Sequence, residues 1–435
     1  MLRAQWFSQN EHAASINARS SRAKYNLFSY VFYIRYCFIL LYRVYGLAIK
    51  SPDSLRHCGK ENWPLAMPST DATHPLKRSP HRLKLGVFGL NVSSGCAMTD
   101  RHDTLKAEWE ESVRIALLAE KADIEAIIPV ARWKGMGGAV NFNHRNFETF
   151  TWAAGLAAKT EEIGVFATFH VPTVHPVRAA KEVATIDHIS GGRFGLNIVA
   201  GWNEREIAMF GVPQKEHDIR YDVADDWISL CKELWTVEGE FDYDGPHFQS
   251  PGCYSEPKPL QRPWPALMSA GNSPRGQAFA AAHADFNFVV AKDIGAAAEV
   301  ATNGRKLANE YGRKMQIFGQ AYIVCRETEK EAQDFVREYV YDRGDWTGVR
   351  NLLDVLVPNS QSALGDGWEA MAANLIAGYG AIPLVGTAEQ VVDGMLAFAD
   401  AGLDGITLSW VNYEEGLIQF QDTLLPMMRQ AGLRE

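Results

Sequence analysis

Residues 186–211 read IDHISGGRFGLNIVAGWNEREIAMFG. The helical spacing before Gly191 stops at a glycine pair, Gly191-Gly192, which lets the chain turn tightly. Phe194–Val199 (FGLNIV) follows as a short, mostly apolar run, as expected of a strand covered on both faces. Gly201-Trp202-Asn203 lies just beyond its C-terminal end. The stretch is therefore helix, tight turn, buried strand and polar loop, one unit of an alternating α/β chain.

The same unit repeats in both directions. Short apolar runs predict strands at residues 83–89, 125–130, 164–168, 266–270, 286–290, 317–324 and 405–410. Helical periods fall between them at 105–122, 148–158, 176–189, 219–235, 276–283, 295–311 and 387–401. Thr387 before Ala388-Glu389-Gln390 forms a capping-box pattern. Eight such alternations point to an α/β fold, a (β/α)8 TIM barrel, with a doubly wound open sheet as the rival. Two insertion segments break the pattern. Residues 241–261 read as a hairpin or long loop. Residues 342–383, leading into GYGAIPLVG, read as a long insert of the kind that covers the site face of a barrel.

The chain has 435 residues, 47% hydrophobic and 22% charged, which suits a large globular body and excludes collagen-like, coiled-coil and mostly disordered classes. The net charge of −9 argues against nucleic acid as a partner. That charge is uneven: residues 1–60 carry +7 and the remainder −16. Residues 25–49 are apolar and long enough to span a bilayer, but Arg35 and Arg43 interrupt them, so a membrane span is not expected. Residues 1–80 are read as an N-terminal extension: a start-site artefact with Met67 as the true start, a targeting segment, or a membrane or partner element. Residues 81–435 form the barrel domain. The six cysteines are scattered, with no C-x-x-C pair, which suits reduced thiols and a cytoplasmic location. Asn91-Val92-Ser93 matches a glycosylation sequon, a pattern common by chance.

Several chemistries are missing from the sequence. No G-x-G-x-x-G follows the first strand, and there is no G-x-x-x-x-G-K-[ST], H-E-x-x-H or G-x-S-x-G. His170 and His175 are spaced by five, which does not place them on one helix face, so no metal is expected and they read as polar barrel-mouth or loop residues. Asn197 stands out as one amide inside an apolar strand. It must bond to neighbouring backbone or serve a ligand. Trp202 is either core filler or one wall of a flat-ligand pocket.

The run TIDHISGGRFGLNIVAGWN (residues 185–203) resembles the bacterial-luciferase-like flavin monooxygenases. RWKGMGG (132–138), NFETFTWAAGLAAKTEEIGVFAT (146–168), HDIRYD (217–222) and AGNSPRGQAFAAAHADFNF (270–288) extend the likeness over about residues 83–430. Within the family the pyrimidine monooxygenases of uracil degradation are nearest, and dimethyl-sulfone and alkanesulfonate monooxygenases look similar over the same blocks. The resemblance implies an FMN site made by Ala131, Arg132, Asn197, Glu206, Arg220, Tyr221 and Ser273. It also implies an oxygen pocket at Ile128, Thr168, Asn197 and Trp202, in which Thr168 and Asn197 donate hydrogen bonds and Ile128 and Trp202 exclude water. It further implies FMNH2 and O2 as reactants, NAD(P)H used only by a separate flavin reductase, a small organic substrate, and a homodimer or homotetramer. Substrates of the resembling enzymes include heterocyclic amides, sulfones, sulfonates and halogenated aromatics. The same barrel also hosts deazaflavin-dependent hydride transfer and non-catalytic flavin binding, and a non-flavin barrel hydrolase is a third alternative.

Two departures from the family pattern bear on substrate. Ile128 stands where the oxygen pocket of the resembling enzymes has leucine. The loop NVSSGCAMTDRHD (91–103) differs from their longer aromatic loop, so the resemblance does not carry uracil over as the substrate.

Overall fold

A computed structural model describes residues 72–357 and 360–435. The strands are β1 (Lys84–Phe88), β2 (Ala126–Ile128), β3 (Gly164–His170), β4 (Phe194–Val199), β5 (Phe241–Asp244), β6 (Gln249–Cys253), β7 (Ala266–Ser269), β8 (Phe286–Phe288), β9 (Gln316–Cys325), β10 (Ile382–Gly386) and β11 (Gly405–Ser409). Eight of them, in the order β1-β2-β3-β4-β7-β8-β9-β11, pair in parallel, and β11 returns to β1, closing a barrel. The eight expected strands are these eight. The helices packed around them are α1 (Trp109–Lys121), α2 (Thr149–Ala157), α3 (Pro176–Ile189), α4 (His217–Thr236), α5 (Pro274–His283), α6 (Ile294–Glu310), α7 (Ala388–Asp400) and α8 (Tyr413–Gln419). The Thr387 capping box forms with both of its hydrogen bonds, to and from Gln390.

The pairing register fixes the barrel's geometry. Gln320 connects through Thr407, Gly86 and Ala126 to Gly164. Two residues on, Phe166 connects through Gly195 to Ala266, and two further on, Met268 connects through Phe286 to Gln316. Without those advances the circuit would return to β9 eight residues early, the stagger of a tightly filled (β/α)8 barrel. It also sets heights along the axis: Phe88, Thr168 and Gln320 occupy one layer, on alternate strands.

The lower half of the barrel is packed with rings. A Cβ at Gly195 would run into the Phe166 ring, and one at Gly405 into the Phe318 ring. At Gly86 a Cβ would lie 2.6 Å from Ile128 Cδ1. Glycine on one strand thus makes room for a large side chain on its neighbour. Phe166, Phe286 and Phe318 meet edge to face at 6.3 and 5.7 Å. His74 and Leu76, in and beside a single helical turn at Pro75–Arg78, are fully buried beneath them, with the His74 ring 4.8 Å from Phe166. The described part of the N-terminal extension therefore plugs the barrel floor. The apolar run at 25–49 lies outside the described residues, among which no helix is long and apolar enough to cross a membrane.

The insertions differ in kind. Residues 241–253 form the two-stranded hairpin β5–β6. The second insertion contains helices Trp346–Leu356, Ser360–Leu364 and Trp368–Gly378, and then β10, which the sequence reading left inside the insert. Pro383 hid it. β10 pairs only with β9, however, so it is an edge strand, where a residue without an N–H is tolerated. Both β10 and β11 pair with Ala321 and Tyr322, from opposite sides, so β10 continues the edge that β8 occupies lower down.

Gly195→Val should lower stability by about 1–3 kcal/mol, because the new side chain displaces the Phe166 ring from a filled layer. A urea melt reads this as a lower midpoint, and an unchanged midpoint would contradict the packing described.

Candidate active site

The upper half of the barrel interior is polar. Thr168 and Asn197 are register partners on β3 and β4, both buried. Asn197 Nδ2 donates to Thr168 Oγ1 at 3.1 Å. The Thr168 oxygen is thereby engaged as an acceptor, which leaves its hydroxyl proton for another group. Asn197 Oδ1 is buried without a partner. The backbone-bonded alternative for Asn197 is therefore not what forms. The Thr149 hydroxyl donates to the Thr168 carbonyl at 2.6 Å, anchoring β3 to the start of α2. Ile128, fully buried on β2, belongs to the apolar floor with Phe88, Phe166 and Met268.

A second cluster forms around Arg132, two residues beyond Val130, where the chain leaves the second strand. Its guanidinium is buried, donates from Nη2 to the Tyr379 hydroxyl at 2.8 Å and lies 5.3 Å from the Trp202 ring centroid. Glu206, fully buried on the single turn Glu204–Ile207, approaches Arg132 Nη1 at 3.6 Å. Its Oε1 accepts from the backbone N–H groups of Trp133 and Lys134 at 2.9 and 3.1 Å, which pins the loop after β2 to the loop after β4. Arg132 Nε and Nη1 and Glu206 Oε2 have no hydrogen-bond partner. Ala131 is buried beside this cluster. Trp202, half-buried, packs on the core of the second insertion.

The third group lies at the start of α5. Ser273 caps that helix, its hydroxyl accepting from Gly276 N at 3.1 Å. A Cβ at Gly271 would lie 2.7 Å from Gly276 Cα, and a Cβ at Gly276 would lie 2.6 Å from the Tyr221 hydroxyl. Two glycines thus bare the backbone of the loop and of the first helical turn beside a phenol. Pro274 has no N–H and the Gly276 N–H is taken by Ser273, so the Arg275 N–H and the loop before the helix are what this helix start can offer an anion. Burial pushes the Tyr221 hydroxyl's pKa up, so it remains a donor, with Ser273 as its partner. Arg220, next in sequence, turns back and donates to the Gly201 carbonyl, leaving its Nε buried and unpaired. The structure thus brings the sequence-singled residues into three adjoining groups. Gly201 connects two of them, through Arg220 on one side and the next residue, Trp202, on the other.

Two residues, Tyr379 and Gln320, escaped the sequence reading, and a third, His170, is read there only as a polar barrel-mouth or loop residue. His170 lies on the same face of β3 as Thr168, buried, with Nδ1 unpaired and 4.0 Å from Glu206 Oε2. His175, by contrast, caps α3. Tyr379, in the left-handed conformation at φ 58°, comes from the insertion and reaches Arg132. Gln320 on β9 is buried with both amide atoms unpaired. Its polar position inside an apolar strand is the same signal that marked Asn197. Asn91, the sequon residue, is fully buried and locks the loop after β1 by bonds to Val130 N and O, each 2.8 Å. That loop bonds onward to the insertion, Met98 N to Ile376 O at 2.9 Å and Asp345 N to Met98 O at 2.8 Å, so together they roof the site.

Known proteins resemble this chain in sequence and in fold. Residues 84–405 match the family described as luciferase-like monooxygenase. A pyrimidine monooxygenase, RutA of Acinetobacter baylyi, is 30% identical over 353 residues, covering 80% of this chain and 95% of that protein. Two crystal structures share the fold. Riboflavin lyase RcaE, solved with modified FMN and riboflavin, has a TM-score of 0.73 at 24% identity, covering 81% of this chain and 92% of that one. DmoA from Hyphomicrobium sulfonivorans also gives 0.73, at 22% identity, covering 81% and 89%.

Burial, reinforced by the Arg132 charge, holds the His170 pKa down at about 3, so the ring is neutral at physiological pH. The folded protein then binds fewer protons at this site than the unfolded chain between about pH 6.5 and 3, and stability falls as pH drops through that window. His170→Gln should make that fall shallower in melts between pH 6.5 and 4. An identical slope in the variant would show that His170 is not held neutral.

Proposed function

This chain belongs to the luciferase-like monooxygenase family, and on that premise we propose that it is the oxygenase of a two-component system, using FMNH2 and O2 to oxygenate a small organic molecule. The observation that carries this reading is a set of buried polar atoms without hydrogen-bond partners, Arg132 Nε and Nη1, Glu206 Oε2 and Asn197 Oδ1, gathered at the mouth of the barrel around the Arg132–Glu206 ion pair. Buried groups of this kind are costly without partners, and a flat heteroaromatic ring with polar edges supplies them. The residues fit FMN at both ends. The glycine-lined start of α5, with Ser273 and Tyr221, suits its phosphate, and Arg132, with Trp202 beside it, suits its ring.

When bound in reduced form, FMN supplies the electrons that activate oxygen. The protein's part is binding, orientation and exclusion of water. Thr168 and Asn197 present a hydroxyl and an amide at the oxygen site, and because the Thr168 oxygen accepts from Asn197 Nδ2, its own proton points away from Asn197 and is available to donate. Ile128 and Trp202 keep that site dry. Glu206 holds the two mouth loops together and positions Arg132. Reduced flavin would come from a separate flavin reductase. The roof made by residues 91–103 and the insertion would shape the substrate space, and its departure from the pattern of the pyrimidine enzymes means that uracil is not carried over from them as the substrate.

The test is anaerobic. Protein mixed with photoreduced FMN is exposed to oxygen and the flavin spectrum followed. The reading expects reoxidation slower than that of free flavin, in more than one phase. Reoxidation at the free-flavin rate would contradict it, and reoxidation by an added organic substrate before oxygen is admitted would point instead to hydride transfer. Asn197→Ala should return the oxygen reaction to the free-flavin rate while FMN binding weakens by no more than about tenfold, the loss of roughly one hydrogen bond. Unaltered oxygen kinetics in that variant would remove Asn197 from the chemistry.

A further inference from the structure

Gln320 stands in the middle of β9, on the inward face between Phe318 and Tyr322. It is 2% exposed, yet neither Oε1 nor Nε2 has a hydrogen-bond partner. Its nearest polar register neighbour, Thr407, directs its own hydroxyl to the Gly319 carbonyl at 3.3 Å. The barrel stagger puts Gln320 at the height of Thr168, four strands away, on the opposite wall. Between those walls lie Phe88 and Phe288, their rings stacked at 5.1 Å and 28°. The residues suited to FMN come from the opposite arc: the loops after β2 and β4, and the start of α5 after β7. Gln320 lies on the wall that carries the insertion, since Tyr322 and Val324 of the same strand face belong to the insertion's own core.

We infer that Gln320 is a specificity-determining residue that reads the organic substrate, pairing its side-chain N–H and C=O with a carbonyl and an adjacent N–H. A primary amide offers one donor face and one acceptor face in a single plane. The group that satisfies both at once is a –CO–NH– unit, and the flat phenylalanine wall beside it favours a planar ring carrying that unit. A substrate without such a unit leaves both buried atoms unpaired, so the residue discriminates by the cost of the wrong ligand. This inference rests on the monooxygenase reading for the identity of the site, and on the unpaired amide for the role of the residue.

Two measurements on the full chain test it. The first uses uracil and 1,3-dimethyluracil as probes, which share ring and carbonyls but differ in N–H, titrated into the FMN-loaded protein. The native protein should prefer uracil at least tenfold. In Gln320→Leu that preference should fall toward one, while the dissociation constant for FMN stays within twofold. The second is a thermal melt without ligands. Gln320→Leu should raise the midpoint, because an apolar side chain of similar size replaces an unsatisfied amide. An FMN affinity weakened more than fivefold would assign Gln320 to the cofactor and overturn the proposal. No preference for uracil in the native protein, or equal loss of both probes with a lowered melting midpoint, would also overturn it, the latter by making Gln320 structural. Failure of the native protein to bind FMN would instead strike the monooxygenase reading, and the melt would still decide whether Gln320 is a strained, ligand-directed group.

Discussion

A closed barrel must fill its own interior, and here the fit of large side chains over glycines decides where filling stops. Phe166 over Gly195, Phe318 over Gly405 and Ile128 against Gly86 complete the lower layers. Leu76 and His74 seal them from below. Above Phe166 on the same face of β3, the next inward residues are Thr168 and His170, and above Gly195 on β4 stands Asn197. The change from rings to polar groups takes place within two residues of one strand. The polar groups begin at that height on β3 and β4, beside the Phe88 and Phe288 rings that reach the same layer, and the stagger sets Thr168 level with Gln320.

The polar half is held by contacts that cost stability. Each buried, unpaired donor or acceptor in a folded protein costs about 1–3 kcal/mol. Arg132, Glu206, Asn197, His170 and Gln320 all contribute such atoms. The surrounding structure fixes them nonetheless: Glu206 by two backbone N–H groups, Arg132 by Tyr379, Asn197 by Thr168. Groups arranged in advance and left unsatisfied are what a binding site requires, since the ligand then gains contacts without paying for reorganisation. Tyr379 also makes the insertion part of the site. Its left-handed backbone brings a hydroxyl from the roof down to the guanidinium, so displacement of the roof would release Arg132.

Much of this was legible in the residues. The eight barrel strands, seven of the helices and the Thr387 capping box follow from apolar periodicity and end signals, because buried parallel strands are short and continuously apolar. Asn197 was visible as a polar break in such a run. Gln320 gave the same signal within QIFGQAYIVC and went unread, since nothing in sequence separates an inward amide from an outward one until register is known. β10 was hidden by Pro383, whose tolerance depends on an edge that only topology reveals. Tyr379 and the pairing of Glu206 with the loop after β2 are long-range contacts, across 247 and about 70 residues, which local pattern does not encode.

A single FMN molecule would have to satisfy two separated features, the cluster of buried polar atoms at the barrel mouth and the glycine-lined start of α5. Equilibrium titration with FMN and with riboflavin, which differ only by the phosphate, tests this most directly. The account predicts that FMN binds at least tenfold more tightly, and that the advantage disappears in Gly276→Val, whose side chain would occupy the space beside Tyr221. Equal affinity for the two flavins in the native protein would contradict it.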